Sequence, residues 1–267
     1  MRIITLLNEK GGVGKTTLSF HLAAGLAVIG FRVLAVDADA QGSLTETMGF
    51  AQAPGLYDLI IRNQSFRKVL RYVNPEIYEY PERQVKGQLF LLPSNIETQS
   101  IASNSADALA FARRFAELDE AVDFIIVDTS PTPSLLHGAV YMATDAILYP
   151  TECEYLSFRG LQNSLQHRED NERYRRQFDF APIKNLGIVP TMFRRRTLEH
   201  RENLTELEQE YGDLVWGPIA QSTVWTESSR VHRTIWNYAP SSPAARQGWY
   251  LVKRFMEAMK HVAPTRS

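Results

Sequence analysis

Residues 9–17 read Glu9-Lys10-Gly11-Gly12-Val13-Gly14-Lys15-Thr16-Thr17, directly after an apolar run and directly before the helical run Leu18 to Ile29. That order of residue types builds an anion cradle. Gly11, Gly12 and Gly14 let backbone N–H groups turn inward and approach phosphate oxygens with no Cβ in the way, while the following helix offers its positive end to the same anion. Lys15 is placed to neutralise the outer phosphates of a nucleotide, and the Thr16 hydroxyl to ligate magnesium. Further carboxylates end apolar runs: Asp37 and Asp39 follow Val33-Leu34-Ala35-Val36, and Asp128 follows Phe124-Ile125-Ile126-Val127. Acids at the carboxyl ends of strands lie where a ligand held by the first loop would sit.

These residues need a scaffold that brings strand ends together. Strand-like runs occupy 2–7, 32–37, 88–93, 123–128, 145–150 and 184–190, most of them too continuously apolar to have one face in water. Helical stretches at 16–29, 98–118, 134–143, 155–176, 197–211 and 243–261 separate them. The alternation predicts an α/β fold with a doubly wound, mostly parallel sheet flanked by helices. The 267 residues are expected to form one domain, 1–267, with a peripheral elaboration at about 62–87 where the alternation fails. The first strand-like run begins at Arg2, so neither a signal peptide nor a preceding domain is expected.

The cradle departs from the common phosphate-loop form, because Glu9 stands where the first glycine would be and an extra lysine, Lys10, precedes Gly11. In this respect it resembles the deviant Walker A motif of the family that includes the ParA and Soj partition ATPases, the division-site regulator MinD and the nitrogenase iron protein. Asp37-Ala38-Asp39-Ala40-Gln41-Gly42 resembles the family's DxDPQG element, with Ala40 in place of proline. Asp128-Thr129-Ser130-Pro131 resembles its Walker B segment, with Ser130 in place of a proline. Pro150-Thr151-Glu152 through Phe158-Arg159-Gly160-Leu161 and Tyr238-Ala239-Pro240 also look ParA-like, so the likeness spans nearly the whole chain.

The resemblance implies ATP and Mg2+ as cofactors and an ATPase reaction. It assigns nucleotide binding to Lys10, Gly11, Gly12, Val13, Gly14, Lys15, Thr16 and Thr17; metal support to Thr16, Asp37, Asp39 and Asp128; and catalysis to Lys10, Lys15 and Asp39. In the family the extra lysine, here Lys10, reaches across a homodimer to the partner's ATP, as an arginine finger does elsewhere. By the same match Asp39 positions the attacking water.

Charge and cysteine content narrow the branches. The net charge of -1 excludes a uniformly basic nucleic-acid binder, yet it is unevenly spread. Residues 1–158 hold 12 basic and 18 acidic side chains, 159–201 hold 10 and 5, 202–224 none and 5, and 225–267 hold 7 and 2. ParA-type proteins bind DNA without sequence preference when dimerised by ATP. The expected DNA-binding residues are Arg230, Arg233, Arg194, Arg195 and Arg196, although the family's R-x-x-R-x-S-E is replaced by Gln221-Ser222-Thr223-Val224-Trp225-Thr226-Glu227. Arg173, Arg175 and Arg176, interspersed with acids, read instead as a helix face with local ion pairs. The lone Cys153 cannot supply an iron-sulfur cluster, and no CxxC is present.

Trp249, Val252, Phe255, Met256, Met259 and Val262 form one helical stripe near the end, which suits either core packing or, as in MinD, a membrane surface. Core packing is the expectation, and membrane association is not. The resulting reading is a cytoplasmic, nucleoid-associated ATPase that dimerises with ATP, binds non-specific DNA and segregates or positions a cargo with a ParB-like activator. The alternatives are a MinD-like membrane-associated positioning ATPase and a biosynthetic enzyme with a deviant P-loop.

Overall fold

The computed structural model describes residues 1–81, 83–105 and 107–262. Among them the apolar runs become strands β1 (Arg2–Leu6), β2 (Arg32–Ala38), β3 (Arg71–Tyr72), β4 (Gln88–Leu92), β5 (Phe124–Thr129), β6 (Ala146–Glu152) and β7 (Lys184–Thr191). They form one sheet in the order β3-β4-β2-β5-β1-β6-β7, parallel throughout except for the antiparallel β3 edge. The continuity of the apolar runs has its cause in that burial. Every residue of β5 is buried, and β1 sends Ile4 and Leu6 into one face layer and Ile3 into the other. On the first face lie the helices Lys15–Ile29 and Pro243–Met259, and on the second Ala110–Ala116 and Leu135–Ala143.

The chain leaves β1 in the middle of the sheet, between β5 and β6, where the direction of winding reverses. Loops after neighbouring strands part at such a point and leave a crevice. The 9–17 loop, the 37–42 turn and the segment after Asp128 all open there because Asp37 and Asp128 are register partners on β2 and β5.

Two expectations change in detail, at 98–118 and at Arg175, and the 62–87 segment gains definition. The 98–118 helix is broken into Ile96–Ser100 (3-10), Ile101–Asn104 and Ala110–Ala116. Ser105 Oγ accepts from Asp107 N at 3.2 Å and Asp107 Oδ1 from Leu109 N at 2.9 Å, local bonds that compete with helix continuation. Within 62–87, of which residue 82 lies outside the described residues, β3 pairs with β4 and Tyr78 is fully buried, its carbonyl accepting from Trp236 Nε1 at 2.7 Å. Arg175 belongs to no solvated face. It is fully buried and donates to the carbonyls of Tyr141 and Ala181, because the end of its helix is covered by the segment leading into β7.

The late apolar stripe is consumed by the core. Ser242 caps the Pro243–Met259 helix by accepting from Ala245 N at 3.0 Å, and Val252, Phe255, Met259 and Val262 are buried, with Trp249 and Met256 packed beside them. No helix among the described residues is long and apolar enough to cross a membrane.

Candidate active site

The 9–17 loop owes its shape to two backbone positions that only glycine holds without strain: Gly12 at φ 80° and Gly14 at φ 88°. Gly14 is the N-cap of the Lys15–Ile29 helix, so the turn and the helix start are one device. Beneath the loop, Asn8 is fully buried and donates to Pro150 O at 2.8 Å while its Oδ1 accepts from Lys10 N at 2.9 Å. The Tyr155–Arg175 helix approaches closely at Gly160, where a Cβ would sit 2.6 Å from Asn8 Oδ1. Ser164 and His167 of the same helix bond Glu9 through its N–H and its carboxylate respectively.

The two lysines of the loop are held quite differently. Lys15 is buried, and its Nζ donates to Asn8 O at 2.8 Å and Lys10 O at 3.1 Å. Burial lowers its pKa against the opposing pull of Asp128 and Asp39. Lys10 is half-buried, its Nζ engaging Glu152 Oε2 at 2.6 Å, Ser157 Oγ at 2.8 Å and Glu154 Oε2 at 3.3 Å. Desolvation works against its charge, but the bonds and ion pairs to Glu152 and Glu154 outweigh it and raise its pKa.

Asp128 is fully buried and accepts from Thr16 Oγ1 at 2.7 Å and Ser19 Oγ at 3.0 Å. Burial, helped by the neighbouring Asp37, pushes its pKa up to about 7 in spite of those two bonds. Asp37 is likewise pushed up to about 6 by burial, and its oxygens are taken by Thr45 N, Thr45 Oγ1 and Asp39 N. It therefore ties the 37–45 turn together, while Asp39, half-buried at the rim, accepts from Gln41 N at 3.0 Å.

Among the described residues no three His, Cys, Asp or Glu side chains converge as a metal cage. The donor set at the loop, a threonine hydroxyl and a buried carboxylate costly to ionise alone, suits a hard divalent cation that shares its shell with phosphate and water. A cleft of about 710 Å³ opens beside it, lined by Gly14, Thr16, Thr17, Met192, Ile219 and Trp225 among others. The structure thus brings together Lys10 through Thr17, Asp37, Asp39 and Asp128.

The expected basic residues lie elsewhere. Arg230 and Arg233 flank the exposed turn after the Thr223–Arg230 helix, whose Trp225 and Ser229 line the cleft. Arg194, Arg195 and Arg196 are exposed after β7, with Arg194 Nε donating to Gln221 Oε1 at 2.9 Å. Sequence reasoning missed Ser19, Glu152, Glu154 and Ser157. Ser19 stands one helical turn after Thr16, a spacing that could have flagged it.

A family model described as an AAA domain matches residues 1–178. The chain is 32% identical to the chromosome-partitioning ATPase Soj of Thermus thermophilus, over 92% of this chain and 91% of that one. It belongs to the ParA/Soj family of partition ATPases. The fold of this ParA/Soj chain is shared more widely. Cobyrinic acid a,c-diamide synthase from Mycobacterium smegmatis, solved with ADP and magnesium, superposes with a TM-score of 0.78 at 24% identity, over 100% of this chain and 99% of that one. Apo McdA of Cyanothece gives 0.76 at 20% identity, over 97% and 98%. At those identities the likeness is one of fold alone.

Proposed function

We propose that residues 1–267 form one cytoplasmic, nucleoid-associated partition or positioning ATPase that binds ATP and Mg2+ at the 9–17 loop, pairs with a second copy around ATP, and then binds DNA non-specifically. A cargo-bound, ParB-like activator would trigger hydrolysis and release. The observation that carries this reading is the division of labour between the lysines. Lys15 has its ammonium on the loop's own carbonyls, in reach of phosphates that would replace them. Lys10 holds its ammonium on Glu152, Glu154 and Ser157, available to a neighbouring chain once those contacts are exchanged.

Thr16 and Asp128 would hold the metal, and Asp39 at the rim would orient the attacking water. The cation supplies charge for the phosphoryl transfer when bound. DNA would meet the exposed arginines at 194–196 and at 230 and 233, which neutralise phosphates without reading bases. A membrane-associated variant of the function lacks support, since the apolar stripe it would use is packed on the sheet. A biosynthetic role rests on fold likeness alone.

The test is DNA binding measured with ATP, ADP and no nucleotide across a salt series. Binding with ATP alone is expected, and for roughly five phosphate contacts per dimer it should fall on the order of 10² to 10³ between about 50 and 200 mM salt. Equal binding in all three states would overturn the switch.

A further inference from the structure

His137 is buried in the first turn of the Leu135–Ala143 helix, and none of the roles proposed above uses it. Its ring reaches back to both ends of the Ser130–Ser134 loop that follows the Asp128 strand: Nε2 lies 3.1 Å from Ser130 O, and Nδ1 lies 3.1 Å from Ser134 Oγ. A carbonyl oxygen only accepts, so Nε2 carries the proton and Nδ1 accepts from the Ser134 hydroxyl. Burial lowers the His137 pKa, with a smaller push the same way from Lys15, against the opposing pulls of the Ser130 carbonyl, Glu9 and Asp39, and so favours the neutral ring.

Besides the backbone bond from His137 N to Ser134 O at 3.0 Å, the loop has little else to hold it. Thr132, Pro133 and Ser134 are exposed, Ser130 Oγ bonds only within the loop to Thr132 O at 3.2 Å, and Pro131 lies over the cradle, 3.8 Å from where a Cβ on Gly11 would be. A short exposed loop held at its two ends by one ring is ordered to the extent that those contacts hold. In-line attack on a phosphoryl group depends on such fixed walls, since little covalent help comes from the protein.

We propose that His137 is a positioning residue for ATP hydrolysis: through the Ser130 carbonyl it fixes the 130–134 loop over Gly11, and so the wall facing the water that Asp39 orients. The inference rests on the site reading given above. It assigns His137 no proton transfer and no contact with the nucleotide.

The test is single-turnover ATP hydrolysis by the full chain with Mg2+, alongside the affinity for a fluorescent ADP analogue. His137→Leu is expected to slow hydrolysis about tenfold while changing ADP affinity less than about twofold, the loss of one buried hydrogen bond read in the rate. His137→Gln, whose amide can donate to Ser130 O and accept from Ser134, should stay within about threefold of the unmutated rate. Ser134→Ala, on the exposed loop, removes the second contact between the ring and the loop and should slow hydrolysis about threefold with ADP affinity unchanged; if the Leu variant does not fold, an unmutated rate in this variant would overturn the proposal. Equal slowing by Leu and Gln, ADP affinity falling in step with rate, or a Leu variant at the unmutated rate would each overturn the proposal. An unmutated chain that fails to bind the ADP analogue would overturn the underlying site reading instead.

Discussion

The phosphate cradle and the Thr223–Arg230 helix line one cleft, and the arginine-bearing turn at 230–233 that ends this helix is built on the opposite principle to the cradle. In the cradle nearly every polar group is spoken for: Asp128 by Thr16 and Ser19, Asp37 by Thr45, Lys15 by two carbonyls, Lys10 by Glu152, Glu154 and Ser157. At the turn, Arg230 and Arg233 are exposed, and His232 between them holds a left-handed φ of 56°. One buried side chain joins the regions. His21 donates from Nδ1 to Thr17 O at 2.7 Å and accepts at Nε2 from Ile235 N at 2.8 Å, with Trp225 and Trp236 edge-on to its ring. A preorganised site recognises one ligand geometry; a solvated one recognises only charge.

The sharpest way to break that contrast is at its most determined point. Lys15→Ala removes a buried cation from a glycine cradle, and nucleotide affinity should fall about a hundredfold or more, as calorimetry would read. A variant within a few-fold of the parent would mean that the backbone amides do the work alone.

Next in size is the exchange of Lys10. Lys10→Ala should retain nucleotide binding and lose ATP-dependent dimers. Glu152→Gln acts the other way, because it weakens the shorter of the two ion pairs that hold the ammonium within its own chain. Partly buried pairs of this kind are worth on the order of 1 kcal/mol, so ATP-dependent dimers should form at about fivefold lower protein concentration in sedimentation experiments. Unchanged or weaker dimerisation of Glu152→Gln would show that Glu152 helps the paired state rather than competing with it.

The cradle was legible because its determinants are contiguous: glycines, Lys15 and Thr16 occupy one short stretch between a strand and a helix. Asp37 and Asp128 were also legible, as acids ending apolar strands. Their division of labour was not, because it depends on Thr45, eight residues on, which draws Asp37 into its own turn. The carboxylates around Lys10 come from the end of β6 and the N-cap of the following helix, more than 140 positions away, and no local pattern announces such a pairing. The buried Arg175 was misread for the same reason: its charge pattern is that of a solvated face, and only the covering segment at 180–183 decides otherwise. Among elements, long runs with one period were located well, whereas the short helices Ser43–Thr47 and Ile235–Tyr238 have too few turns to show one.

The crowded acids also give the cradle a pH signature that the exposed turn lacks. Asp128 sits at about 7 in the fold against an ordinary 3.8, so between those values the folded chain binds the extra proton. Its contribution to stability is present below about pH 4 and is lost as pH rises through about 7, and Asp37, raised to about 6, acts in the same direction. A bound divalent cation offsets that loss, since it favours the ionised form. The rise in melting temperature on adding Mg2+ and ADP should therefore be larger at about pH 8 than at about pH 5, and the reverse order would place the cation away from Asp128.

At the other pole, Arg230→Ala and Arg233→Ala should have the smallest effects of all. Neither side chain is buried, so the fold and nucleotide affinity should be unchanged within experimental error. Each lost phosphate contact should lower the slope of log affinity against log salt by about 0.9 and weaken DNA binding only a few-fold near physiological salt. The two losses should add, because exposed arginines that share no partner act as independent charges. A double variant much weaker than that sum would mean that the left-handed backbone at His232 presents the arginines as one fixed unit, and the turn would then be as preorganised as the cradle.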